Sequence, residues 1–206
     1  VRLVAWPEAA VDAFFYDHPH WEQWIADLAH RTGTPILAGA LDVQFAGDGS
    51  YEYYNAAFFF DSTGSDRTYP TYRKKYLVPI VERVPFVNPR WFGDLKYFGG
   101  FGHGDRFPVY PVAGGGFGVL ICYESAFEDL ARLYRREGAD FLVNITNDAW
   151  YGRTVAAYQH AAHLVMRAIE TRMGIARAAN TGISQFVDPL GHTHQSTPLY
   201  VERVEA

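Results

Sequence analysis

Apolar residues along this chain follow two rhythms, and they assign most of its elements. Val1-Arg2-Leu3-Val4-Ala5 is mostly apolar and is stopped by Trp6-Pro7-Glu8, which predicts a buried strand ending there. Residues 19–32 place Trp21, Trp24, Ile25, Leu28 and Ala29 at helical spacing, with Gly33 positioned to end the helix. Strands are predicted over 34–43 and 55–61, separated by the turn-rich Ala46-Gly47-Asp48-Gly49-Ser50. Residues 62–116 lose the periodicity. They are rich in Gly, Pro and aromatic residues and read as one long loop region, which is uncommon in a compact domain unless it is functional.

The rhythm returns at Gly118. A strand over 118–122 leads into a helix over 125–137, with Phe127, Leu130, Ala131 and Tyr134 on one face and Gly138 closing it. A strand over 140–146 ends in Asn147-Asp148-Ala149-Trp150. A helix over 154–172 turns Tyr158, Ala161, Ala162, Val165 and Ile169 inward. Short strands are predicted at 174–178, 183–187 and about 194–201, the last two joined by a turn at Asp188-Pro189-Leu190-Gly191. Mixed helices and buried strands with no linker predict one α/β layered domain over residues 1–206.

Composition narrows this picture only a little. The chain has 206 residues and a net charge of −5, which argues against a basic nucleic-acid groove. Arg132, Arg135 and Arg136 fall on the helical pattern as a solvated face. Aromatic residues make up 17% of the chain, enough either to line an apolar pocket or to fill the core. No apolar run of about 18 residues crosses a membrane, and no signal-like segment opens the chain. The opening Val1-Arg2-Leu3, without an initiator Met, reads as a strand entered midway.

Candidate chemistry lies at three strand ends: Glu8, Cys122, and Asn147 with Asp148. Each also has a structural reading, as a surface carboxylate, a core cysteine and a helix cap respectively. Cys122 is the one cysteine in the chain, so no internal disulfide can form. It ends a strand and precedes a helix, as a nucleophile on a tight turn does. Its thiol then needs a base or a cation to become reactive. No His lies at a strand end. His160 and His163 are three apart on a helix, but they lack Cys partners or a His-Glu-x-x-His pattern, so no metal is expected. Carboxylates and a lysine from the long loop are the better partners.

Trp6-Pro7-Glu8, Tyr72-Arg73-Lys74-Lys75-Tyr76-Leu77-Val78-Pro79 and Ile121-Cys122-Tyr123-Glu124 together resemble the Glu–Lys–Cys pattern of the nitrilase superfamily. The finer wording resembles its apolipoprotein N-acyltransferase branch. It includes Glu82 with Val84-Pro85, Asn147-Asp148-Ala149-Trp150-Tyr151-Gly152, Gln159-His160, Arg167-Ala168-Ile169-Glu170 and Arg177-Ala178-Ala179-Asn180-Thr181-Gly182-Ile183-Ser184. The resemblance spans about residues 4–197. It departs at Pro79-Ile80-Val81-Glu82, where the branch usually has Pro-Phe-Gly-Glu.

The resemblance implies a nitrilase-like four-layer αββα sandwich, truncated at its N-terminus, with membrane helices flanking it in the parent protein. It implies Glu8 as base, Lys74 as oxyanion partner and Cys122 as nucleophile. Lys75 is the neighbouring alternative to Lys74. Glu82 and Glu124 are expected to orient the lysine and the thiol. Asn147 is expected in support, and Tyr123, Trp150 and Tyr151 shape the entrance, contact acyl chains or pack in the core. The implied donor is a phospholipid and the implied acceptor a diacylglyceryl apolipoprotein. No cofactor is implied. The implied location is the bacterial inner membrane, on its extracytoplasmic face. A hydrolytic amidase of the same superfamily is the alternative reading, and residues 62–116 are the expected lid.

Overall fold

The computed structural model describes residues 1–64, 69–79, 81–82, 100–204 and 206. Its first sheet is built on a long hairpin, β3 (Ile36–Phe45) and β4 (Tyr51–Phe60), paired without a break from Ile36↔Phe60 to Phe45↔Tyr51. The connecting turn is closed by Ala46 N–H to Ser50 O and the reverse contact Gly49 N–H to Ala46 O, as the Gly/Asp/Ser cluster predicts. Two short strands, β1 (Val4–Ala5) and β2 (Val11–Phe14), lie in parallel along the other side of β3, and β5 (Tyr72–Arg73) adds antiparallel to β4.

Among the described residues the second sheet has six strands. Its centre is parallel: β7 (Gly115–Ile121), β8 (Phe141–Asn147) and β9 (Gly174–Asn180). Antiparallel β6 (Tyr110–Val112) flanks one side, and β10 (Gln185–Val187) with β11 (Thr193–His194) flanks the other. Crossovers through α2 (Glu128–Arg136) and α3 (Val155–Thr171) cover its outer face, and α1 (Pro19–Thr32) covers the outer face of the first sheet. The layers are α1, sheet, sheet, α2 with α3: the four-layer αββα sandwich.

Strand alternation decides which residues line which interface. Ile36, Ala38 and Ala40 of β3, with Ala56, Phe58 and Phe60 of β4, pack against Ile25, Ala26 and Ala29 of α1. The opposite parity sends Leu37, Ala57 and Phe59 to the inter-sheet core, where Phe59 meets Phe117 of β7. Gly39 shares that parity and bears the chain segment that carries Glu8: a Cβ there would lie 2.8 Å from Glu8 Cα and from Ala9 N. The Glu8 position therefore depends on a missing side chain.

Several sequence expectations are corrected. The residue-62–116 region contains β5 and β6, too short to register as periodic runs. Val84-Pro85 and the remainder of residues 83–99, central to the expected lid, lie outside the described residues. Trp21 and Trp24 are 45% and 46% exposed. Alanines Ala26 and Ala29 bring α1 close to the sheet, and the tryptophans lie on its flank against each other and Trp6. In α3 the inward face is rotated, exposing Tyr158 and Ile169 and burying His160, Leu164, Arg167, Ala168 and Thr171. Hydropathy misjudged that face because its polar side chains find interior partners. The strand expected at about 194–201 stops at His194, before Gln195 and Tyr200 take positive φ. Gly39→Ala is expected to destabilise the fold by roughly 1–3 kcal/mol through backbone overpacking. Urea unfolding checks this, and Cys122 alkylation should slow in the same variant because Glu8 is displaced.

Candidate active site

Cys122 is the first residue after β7, at the carboxyl end of a parallel strand, and opens a short 3-10 turn, Cys122–Ala126. Its φ is +53°, a conformation that costs a non-glycine residue about 1–3 kcal/mol and is held only where the surroundings impose it. The turn is anchored from within: the Glu124 carboxylate accepts the Ile121 N–H at 2.7 Å. Arg167 of α3 donates to Ala126 O at 2.9 Å and fixes the far end. The expected strand to residue 122 thus ends one residue earlier, because the cysteine belongs to the turn.

Facing it from the first sheet is a buried charge cluster. Lys74 follows β5 and is 1% exposed. Its ammonium lies 2.8 Å from Glu82 Oε1 and 3.5 Å from Glu8 Oε1. Asn55 of β4 donates to both carboxylates, at 2.6 Å to Glu8 and 3.1 Å to Glu82. The other oxygen of Glu8 accepts the Asn147 N–H across the sheet interface at 2.7 Å, and that of Glu82 accepts the Val78 N–H at 2.8 Å. The backbone fixes Lys74 as well, since its N–H reaches Asn55 O and its carbonyl accepts the Gly104 N–H.

The electrostatics follow from this geometry. Burial alone would lower Lys74, but Glu8, Cys122 and Glu82 outweigh it and hold the ammonium charged well above its ordinary range. Burial and then the Glu8 charge push the Cys122 thiol up to about 12, against a smaller lowering by Lys74 and Thr146. The resting thiol is therefore protonated at neutral pH and must lose its proton during attack.

The family model for carbon-nitrogen hydrolases matches residues 1–198. The chain belongs to the carbon-nitrogen hydrolase family. Within it the sequence is 38% identical over 208 residues to an apolipoprotein N-acyltransferase of Geobacter metallireducens, covering 98% of this chain and 39% of that protein. It is 36% identical to one of Brucella melitensis, covering 96% and 37%. The chain thus spans about two fifths of the length of these relatives. Among solved structures, a carbon-nitrogen hydrolase from Helicobacter pylori G27 superposes with a TM-score of 0.73 at 17% identity, over 96% of this chain and 73% of that one. An amidase from Nesterenkonia sp. gives 0.69 at 18%, over 96% and 73%. These structural likenesses carry the fold.

The carbon-nitrogen hydrolase fold thus brings Glu8, Lys74, Glu82, Cys122 and the backbone of Asn147 to one place, as the sequence pattern implies. Lys75 is not among them: its ammonium lies over the Phe107 ring, 4.6 Å from the centroid. The Asn147 side chain is turned to Ala149 N–H, so its main chain, not its amide, meets Glu8. Tyr151 is half-buried, and burial followed by the Cys122 and Asp148 charges raises its phenol. Trp150 is 71% exposed and is not core. Tyr123 packs edge-on against Phe127.

Sequence reasoning missed Asn55. The available signal was parity, because Asn55 is a polar residue on the inward face of a strand that continues as Ala57 and Phe59. It also missed a buried network behind Cys122, in which Asp148 accepts from Thr146, His160 and Arg177 at 3.1, 2.9 and 2.7 Å.

Glu124 joins the two halves of the site. One oxygen accepts the Lys75 and Tyr76 N–H groups and the other accepts the Tyr72 hydroxyl and the Ile121 N–H. Burial pushes its carboxyl up to about 7, against lowering by Ile121 N–H, the Tyr72 hydroxyl and Lys74. Because this folded value lies above the ordinary 4.5, the native state holds the extra proton between the two values. The group's contribution is full below about 4.5 and is lost as pH rises towards 7. Wild type should therefore lose stability relative to Glu124→Gln across that window, measured by urea unfolding at stepped pH. A pH-independent difference would contradict it.

Proposed function

We propose that this chain carries acyl transfer through a Cys122 thioester, and that its parent protein is an N-acyltransferase using a phospholipid donor. The observation that carries the first part is the buried Lys74 ammonium held between Glu8 and Glu82 beside a thiol on a positive-φ turn. Glu8 takes the thiol proton as sulfur attacks an ester carbonyl. Lys74 and the Tyr123 backbone N–H stabilise the tetrahedral oxyanion. The C–O bond breaks, the leaving alkoxide takes the proton from Glu8, and a thioester remains. An amine then attacks that carbonyl, the C–S bond breaks, and the amine proton passes through Glu8 to the departing sulfur. One site used in two turns gives ping-pong kinetics.

The acceptor assignment rests on the relatives. Similarity to proteins named apolipoprotein N-acyltransferase runs along nearly the whole chain at 36–38% identity. Their name supports the α-amine of a diacylglyceryl-cysteine lipoprotein as the nucleophile. An α-amine has a pKa of about 7.7–8.0, so a neutral fraction is present at neutral pH. Tyr123 follows Cys122 in the turn and Tyr151 lies close enough to feel its charge, and with the exposed Trp150 they are the residues assigned to the acyl chain. Among the described residues no helix is long and apolar enough to cross a membrane. The proposed inner-membrane setting, with the site on the extracytoplasmic face, follows from the likeness to proteins named apolipoprotein N-acyltransferase.

A second reading is an amidase that passes the acyl group to water. It is supported by the superposition on the Nesterenkonia amidase, one of whose variants carries an acetamide moiety on its active-site cysteine. Both readings share the thioester. Incubating the full-length protein with a phospholipid bearing a tagged acyl chain, without acceptor, should leave a hydroxylamine-labile tag on Cys122. The tag should be absent in Cys122→Ala and formed at least about 100-fold more slowly in Glu8→Gln. Discharge by a lipoprotein amine supports the transferase. An untagged Cys122 that instead hydrolyses small amides favours the amidase.

A further inference from the structure

Behind the thiol lies a buried side chain that the reading above does not use. Strands β7 and β8 run in parallel register with Leu120 opposite Asn144 and Ile121 opposite Ile145. Beyond Ile121 the chain turns at Cys122, while β8 continues to Thr146, whose side chain lies within hydrogen-bond reach of the Cys122 sulfur. Thr146 is fully buried, and its hydroxyl donates to Asp148 Oδ1 at 3.1 Å. Asp148 does not depend on that contact. The same Oδ1 accepts from His160 Nδ1 at 2.9 Å, Oδ2 accepts from Arg177 at 2.7 Å, and Asp148 N–H reaches Asn180 O. Arg177 is fixed in turn by Asn144 Oδ1 and Ile183 O. The carboxylate is thus over-supplied with donors, and despite burial His160 and Arg177 hold it charged, below its ordinary range.

A hydroxyl has one proton and two lone pairs, and turns about a single bond. While the thiol is protonated, Thr146 donates to Asp148 and leaves a lone pair towards sulfur. Once the thiol proton has gone to Glu8, the same hydroxyl can swing and donate to the thiolate, while Asp148 stays satisfied by His160 and Arg177. We propose that Thr146 is a hydrogen-bond switch for the Cys122 sulfur, donating to Asp148 in the resting enzyme and to the thiolate during attack and release. The Asp148–His160–Arg177 network is the fixed frame on which it turns. Nothing is consumed: one O–H···O contact is exchanged for one O–H···S contact. The switch acts on both halves of a transfer, because the thiolate is present before acylation and again as the leaving group.

This inference rests on Cys122 as the nucleophile, but its test does not need the substrate. Iodoacetamide alkylation of Cys122 in the intact protein is followed by peptide mass spectrometry as a function of pH. Thr146→Val keeps the shape and removes the hydroxyl. It should slow alkylation about tenfold at neutral pH, the loss of one hydrogen bond to a charged group, and move the profile to higher pH. Thr146→Ser, which keeps the hydroxyl, should stay within about twofold of wild type on the same reasoning. Thr146→Ala makes the same deletion should the valine fail to fold. A purely structural role would lower melting temperature without moving the pH profile. The proposal is overturned if the folded hydroxyl-free variants keep the wild-type profile, or if serine shifts it as far as valine. An unreactive Cys122 in the unsubstituted protein would sink the nucleophile reading itself.

Discussion

The site is organised around one buried ammonium. Lys74 sits between two carboxylates and beside a thiol, away from water, and this is stable only while the charges stay paired. Removing one partner of such a set strands the others, at about 3–5 kcal/mol, far more than any exposed ion pair returns. The cluster of Glu8, Glu82 and Lys74 carries a net charge of −1. Passing the thiol proton to Glu8 moves that negative charge from a carboxylate to sulfur, beside the same ammonium, and leaves the total unchanged. In the proposed step, then, charge shifts within the cluster and none is created.

The rest of the fold serves that arrangement. Asn55 gives both carboxylates a donor they share, and the Gly39 surface lets the Glu8 segment lie flat on β3. Glu124 ties the cysteine turn to the segment just after Lys74, so nucleophile and ammonium cannot drift apart independently. The positive φ at Cys122 is the local strain that this bracing sustains. Within two fifths of the relatives' length, Glu8, Lys74, Glu82 and Cys122 stand together.

Much of this was readable from the residues. That Glu8, Cys122 and Asn147 lie at or just past strand ends follows from apolar runs that stop at polar residues, and parallel strands with crossover helices follow from their alternation. Spacing could not separate Lys74 from Lys75, since adjacent residues on an irregular segment differ only in which way the backbone turns them. Asn55 was hidden because it lies in an apolar strand, where parity matters more than composition. The rotation of α3 was hidden for the complementary reason: His160 and Arg167 are interior because partners wait for them on other strands and turns, and a hydropathy pattern contains no partners.

The contact between Glu8 and the main chain of Asn147 joins residues 139 apart in sequence, one from each sheet. Neither sheet alone contains a functioning centre. The first sheet bears Lys74 and the segment that carries Glu8, and the second leads into Cys122. The charges are therefore gathered around the thiol only where the two sheets meet. Leaving one of these charges unpaired at the interface would cost about 3–5 kcal/mol, so the fit of the two layers and the pairing of their charges are a single condition.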